Sequence, residues 1–107
     1  MLRPGERWHY SNLAYGLLGE LVVRLRGRPY ADVLRERVLD PLGLERTASE
    51  PADPVARGYL VEPYSDGVRR EPDVVLPETT AALGQLWSTG GDLAAFGAFL
   101  AAGADDV

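Results

Sequence analysis

At 107 residues, with 46% apolar and 25% charged side chains, the chain has the size and composition of one globular unit rather than a disordered segment. Its formal charge of −5 is unevenly placed: residues 1–47 carry eight Arg and six acids, residues 48–107 three Arg and ten acids, a balance that disfavours nucleic acid as a partner. The lack of Cys removes disulfides and thiolate chemistry, the single His9 leaves a poor zinc set, and the lack of Lys removes any lysine base or Schiff base from this chain, so neither cofactor nor metal is expected.

Met1 to Arg7 has no apolar h-region and does not read as a signal peptide. The longest nearly apolar stretch, Leu93 to Ala104, is too short to cross a bilayer of about 30 Å as a helix. Pro4-Gly5 predicts a turn and Arg7 to Tyr10 a short extended run, followed by a helix that Ser11 or Asn12 can cap. Ala14, Leu17, Leu18, Leu21, Val22 and Leu25 then make one apolar stripe, and Gly27 stops the helix. Gly16 and Gly19 inside it should each cost about 1 kcal/mol relative to Ala, which predicts a close approach of another backbone or a ligand, or tight helix packing.

A second helix is expected from Pro29 or Tyr30 to Leu39, burying Tyr30, Val33, Leu34 and Val38 and ended by Pro41. The Arg24, Arg26, Arg28, Arg35 and Arg37 cluster on this pair reads as a solvated face. Residues 47–82, with five prolines and many acids, predict a hairpin from Gly58–Glu62 and Gly67–Arg70, turning around Ser65-Asp66-Gly67 and flanked by irregular loops. A third helix is expected over Gly90 to Ala102, with Thr89 and Asp92 as a capping box that uses Asp in place of Glu. Leu93, Phe96, Gly97, Leu100 and Ala101 form its expected buried face, Gly103 its stop, and Asp105 and Asp106 a frayed tail.

Three blocks carry a family likeness. Pro4-Gly5 through Tyr10-Ser11-Asn12 to Tyr15-Gly16-Leu17-Leu18-Gly19 resembles the Pro-Gly…Tyr-Ser-Asn…Tyr-Gly-Leu-Leu-Gly stretch of the class C β-lactamase and penicillin-binding-protein-like serine hydrolases, which include D-alanyl-D-alanine carboxypeptidases and esterases. Pro41-Leu42-Gly43-Leu44-Glu45-Arg46-Thr47 is similar to that family's Pro-Leu-Gly-Met with a following Thr, and Gly84 to Phe96 to its Gly-x-x-x-Ser-Thr-x-x-Asp-Leu-x-x-Phe. A lone Tyr-x-Asn would mean little, whereas three ordered blocks covering over half the chain are specific.

The resemblance implies that Tyr10 is the catalytic tyrosine and that Asn12 helps hold substrate and the catalytic lysine. The residue types suit those roles. A phenol, with an ordinary pKa of about 10, passes a proton in acyl transfer when a neighbouring cation lowers that value, and an amide both donates and accepts without adding charge. Read without the resemblance, the preferred reading is Tyr10 as a half-buried aromatic whose hydroxyl meets a backbone carbonyl, and Asn12 as only a helix cap.

In the family an upstream Ser-x-x-Lys supplies the nucleophile, and a Lys- or His-Thr-Gly strand near the C-terminus completes the site. Neither is present here: Ser11, Ser49, Ser65 and Ser88 are followed three residues on by Ala14, Ala52, Val68 and Gly91. Ser88-Thr89-Gly90 has Ser where a cation is needed and opens a helix, so it reads as structural. His9 is expected to face solvent or pack on Trp8, and Trp8 and Trp87 to serve in packing.

The expectation is therefore a mainly α chain with a small β-hairpin, the helical subdomain portion of a β-lactamase-like α/β serine hydrolase fold. Residues 1–107 would form a single partial domain: the Tyr-x-Asn loop with two helices (1–46), an irregular region with the hairpin (47–82) and the C-terminal helix (83–107). The implied activity is hydrolytic acyl transfer on an amide, β-lactam or ester, with a small-molecule or peptide acyl substrate. As the isolated chain it is expected to be inactive and to have the missing remainder of the hydrolase domain as its partner. The alternative is a non-catalytic helical binding or structural module descended from the same family. No localisation follows, although the family is often extracytoplasmic.

Overall fold

The computed structural model describes residue 3 and residues 5–72 and 77–103. Helix α1 spans Asn12–Arg26 and begins where the Ser11 hydroxyl accepts the Ala14 N–H at 3.1 Å, so of the two expected caps it is Ser11 that acts. Gly27 ends the helix in the left-handed region at φ 64°, its N–H donating to the Val23 carbonyl at 2.8 Å.

Helix α2 spans Tyr30–Leu34 and continues as a wider π-type turn over Arg35–Leu39, closed by the Asp40 N–H donating to the Arg35 carbonyl at 2.9 Å. A π turn adds a residue per turn and shifts the side-chain register. Val33 and Leu39 are the buried residues of this helix, while Tyr30, Leu34 and Val38, expected inside, are half-buried. All five arginines of the cluster are exposed. Glu20 pairs with Arg24 at 2.7 Å, and Glu36 pairs with Arg28 and, at 3.6 Å, with Arg37.

Strands β1 (Tyr59–Val61) and β2 (Val68–Arg70) form the expected antiparallel hairpin, with Tyr59 opposite Arg70 and Val61 opposite Val68. Bonds from Glu71 N–H to the Gly58 carbonyl and from Glu62 N–H to the Gly67 carbonyl, both 2.9 Å, carry the pairing to the limits read from the sequence. A 3₁₀ segment, Glu78–Leu83, was not foreseen and packs on α1. There Gly19 is the buried residue of α1: a Cβ built on it would stand 2.5 Å from the Ala82 Cβ, so tight packing is what the glycine serves.

Helix α3 spans Gly90–Ala102, capped by the Thr89 hydroxyl accepting the Asp92 N–H at 3.2 Å. Its expected buried face is not buried. Phe96 is half-buried and meets Phe99 with ring centroids 6.2 Å apart, but Leu93, Gly97, Leu100 and Ala101 are exposed because none of the described residues covers them. Asp105 and Asp106 lie outside the described residues.

Among the described residues the buried ones are Gly19, Val33, Leu39, Leu44 and Thr47, of which Leu39, Leu44 and Thr47 line one cavity at the turn after α2. The surface is correspondingly large: the chain exposes 8898 Å² at 11.6 kDa, whereas a compact domain of that mass exposes about 5,800 Å². Its radius of gyration, 17.2 Å, likewise exceeds the roughly 13 Å of a compact chain of this length.

Candidate active site

Tyr10 and Asn12 flank the cap of α1. Ser11 has extended backbone, φ −151° and ψ 108°, and in extended backbone alternate side chains share a side. The Ser11 hydroxyl turns back onto the helix as its cap. Tyr10 is 66% exposed and Asn12 is exposed, and neither side chain makes a hydrogen bond among the described residues. A phenol resting on a backbone carbonyl and an asparagine serving as cap, the alternatives that the residues alone left open, are thus not what this structure contains. His9 is exposed, as expected, and Trp8 is 85% exposed rather than packed.

The second and third motif blocks, 41–47 and 84–96, come together in space. Ala48 and Trp87 exchange backbone hydrogen bonds of 2.9 and 2.8 Å. Beside them the buried Thr47 hydroxyl lies 2.8 Å from the Ser88 hydroxyl and donates to Asp92 Oδ2 at 2.7 Å, and the Arg46 N–H donates to the same oxygen at 3.0 Å. The Asp92 carboxylate therefore serves the neighbouring turn, with its other oxygen receiving the Thr89 hydroxyl at 3.3 Å, instead of closing a capping box on the backbone of its own helix. Ser88-Thr89-Gly90 is structural, as the sequence suggested.

The sequence did not disclose the Thr47–Ser88–Asp92 network, though all three residues lie in the motif blocks. Nor did it disclose Gln85, which holds a positive φ of 94° while its side-chain amide donates to the Ser49 carbonyl at 3.3 Å. A non-glycine residue in that region is held there by its surroundings.

A cavity of about 350 Å³ opens between the turn after α2 and α3, walled by Leu34, Val38, Leu39, Leu44, Leu86 and Phe96. A second, of about 360 Å³, is walled by Glu45, Arg46, Glu50, Asp53, Trp87 and Thr89. Neither includes Tyr10 or Asn12, which stand on open surface. Among the described residues no three His, Asp or Glu side chains converge to hold a metal ion, and no helix is long and apolar enough to cross a membrane.

The sequence model described as Beta-lactamase matches residues 2–107, and the chain belongs to that family. It is 34% identical over 58 residues to the D-alanyl-D-alanine-carboxypeptidase/endopeptidase AmpH of Escherichia coli (strain K12), a match covering 54% of this chain and 15% of that protein. It is 30% identical over 91 residues to penicillin-binding protein 4 of Amycolatopsis lactamdurans, covering 81% and 24%.

Among solved structures, the D-amino acid amidase of Ochrobactrum anthropi SV3 superposes with a TM-score of 0.76 at 30% identity, over 96% of this chain and 33% of the amidase. The octameric penicillin-binding protein homologue of Pyrococcus abyssi gives 0.79 at 28% identity, over 92% and 22%. The fold is that of the helical portion of β-lactamase and penicillin-binding-protein-like hydrolases, and the chain spans between 15% and 33% of the length of these relatives.

Proposed function

We propose that this chain supplies the tyrosine and asparagine side of the active site of a serine hydrolase that transfers the acyl group of an amide, β-lactam or ester to water. The observation that carries the reading is the pair Tyr10 and Asn12, solvent-open and without hydrogen bonds among the described residues, at the capped start of α1 in a chain of the β-lactamase family. A serine supplied by a Ser-x-x-Lys segment attacks the carbonyl with the lysine as its partner, the C–N or C–O bond breaks, and the Tyr10 hydroxyl hands a proton to the leaving group. Water then takes the acyl group off the serine, with the proton returning through the same side chain. Asn12 holds the substrate amide and the lysine ammonium in register. The relatives' printed activities, carboxypeptidase, endopeptidase and D-amino acid amidase, make an amide or peptide substrate the leading class.

The same reading assigns a cover to the excess surface. Leu13, Leu17, Leu18, Leu21 and Leu25 of α1 and Leu93 and Leu100 of α3 are each about half or more exposed, and the remainder of one hydrolase domain is what packs on them. The test is intact mass after incubation with a fluorophosphonate or a fluorescent penicillin. This chain alone should gain no adduct, and the catalytically complete protein carrying it should gain one per active site on a serine followed three residues later by lysine. A stoichiometric adduct on Ser11, Ser49, Ser65 or Ser88 would overturn the proposal.

A further inference from the structure

We propose that the arginines at the junction of α1 and α2 form a site for a doubly charged phosphate group carried by a small soluble molecule. Arg26, Arg28 and Arg37 line one cavity of about 210 Å³ together with Glu36 and the buried Val33. Arg26 is the last residue of α1, and Gly27, in the left-handed region at φ 64°, turns the chain so that Arg28 lines the same cavity before α2 begins. Arg37 comes from the π turn that follows α2.

Two of these guanidinium groups already converge on one anionic group. Glu36 pairs with Arg28 through one carboxylate oxygen and with Arg37, at 3.6 Å, through the other. Three cations against one carboxylate leave the lining with an excess of two positive charges. The partial negative charge at the C-terminal end of α1 opposes an anion there, and Arg24 and Arg26 in the last turn offset it. The cavity is smaller than the roughly 300–1,000 Å³ of pockets for drug-sized ligands, which suits a single small group. A phosphate with two charges matches the excess, and its oxygens match the planar fork of arginine, which binds them in pairs. An extended polyanion is a poorer match, because residues 48–107 carry ten acids and three Arg.

Glu36 is then the intramolecular competitor. Its side chain and those of Arg28 and Arg37 each keep half or more of their surface in water, where an ion pair is weakly held and screened by salt. A carboxylate held in this way gives place to a ligand that brings more charge and more oxygens to the same guanidinium groups. Arg24 and Arg35 belong to the same cluster but are not in the cavity lining, and Arg24 pairs with Glu20 at 2.7 Å.

The test is isothermal titration of the catalytically complete protein that carries this segment with inorganic phosphate and with phenyl phosphate, in chloride buffer. Binding at one site per chain is expected, weakening as salt rises, with singly charged acetate bound far less tightly. Arg28→Gln and Arg37→Gln should each weaken phosphate binding about tenfold, since each removes charge-assisted hydrogen bonds. Glu36→Gln should tighten it several-fold by removing the competitor. Arg24→Gln and Arg35→Gln delete the same charge outside the lining and should change the affinity far less. No binding of either phosphate overturns the proposal, as does a loss in Arg35→Gln equal to that in Arg37→Gln, which would reduce the cluster to diffuse surface charge. Unchanged or weaker binding by Glu36→Gln also counts against it. Binding confined to vesicles that contain phosphatidic acid, with free phosphate ignored, would make the cluster a lipid contact and sink the small-molecule assignment. Acyl turnover is no part of these readouts, so their failure leaves the reading of Tyr10 and Asn12 untouched.

Discussion

Thr47, the buried polar residue of the small core, donates its hydroxyl to the Asp92 carboxylate at 2.7 Å across 45 residues of chain. With the Arg46 N–H on the same oxygen, this carboxylate fastens the turn after α2 to the first turn of α3. A charged acceptor in a half-buried position makes these the strongest polar contacts between the two motif blocks.

Thr47→Val keeps the shape and deletes the donor. Asp92 then keeps only part of its hydrogen bonding, and the loss should be about 1–3 kcal/mol. Asp92→Ala should cost more, because it removes the acceptor of the Arg46 N–H as well as that of the Thr47 hydroxyl. Urea denaturation of the two single variants and the double variant in the complete protein checks this. A double variant equal to the sum of the singles would show that the two side chains are not coupled.

At Gly19 the sign of a common stabilising exchange is reversed. Alanine is favoured over glycine inside a helix by about 1 kcal/mol, but here its Cβ would stand 2.5 Å from the Ala82 Cβ, and overpacking of that kind costs about 1–3 kcal/mol. Gly19→Ala should therefore lower the melting temperature, and Ala82→Gly should rescue it by vacating the same space. A Gly19→Ala variant as stable as wild type would mean that α1 and the 3₁₀ segment do not touch in solution.

The arginine cluster should matter little. Arg28, Arg37 and Glu36 all keep half or more of their side-chain surface in water, where an ion pair contributes at most about 1 kcal/mol and is screened by salt. Glu36→Gln is expected to change stability by less than about 0.5 kcal/mol, read from denaturation midpoints at low and high salt.

What could be read from the sequence was what is decided locally. Ser11 and Thr89 as caps, Gly27 as a stop and the Ser65-Asp66-Gly67 turn are choices that a few neighbouring residues make by themselves, and the elements they delimit lie where they were expected. The π turn over Arg35–Leu39, the 3₁₀ segment at Glu78–Leu83 and the join between Thr47 and Asp92 depend on partners distant in the chain, so no local pattern announces them. The apolar face of α3 shows the opposite failure. Leu93 and Leu100 have the spacing of buried residues, but periodicity states only which face seeks cover, not whether the described residues provide it. At the candidate site the residues Tyr10 and Asn12 were legible from the motif, while their lack of hydrogen bonds among the described residues was not, since it depends on which of those residues reach them.

The excess surface leads to the last prediction. The chain exposes 8898 Å² where about 5,800 Å² is usual, and leucines of α1 and α3 are part of that excess. Burial of apolar surface contributes about 25 cal/mol per Å², and a chain deprived of so much of it has little to set against its conformational entropy. Alone, residues 1–107 should keep helical circular dichroism, bind a hydrophobic dye such as ANS and melt without a cooperative transition. Co-expression with a polypeptide supplying the Ser-x-x-Lys part of the fold should suppress dye binding, produce one sharp transition and restore labelling by a fluorescent penicillin. A sharp melt and no dye binding by the isolated chain would instead favour an autonomous helical module, since the exposed leucines would then have found cover within these residues.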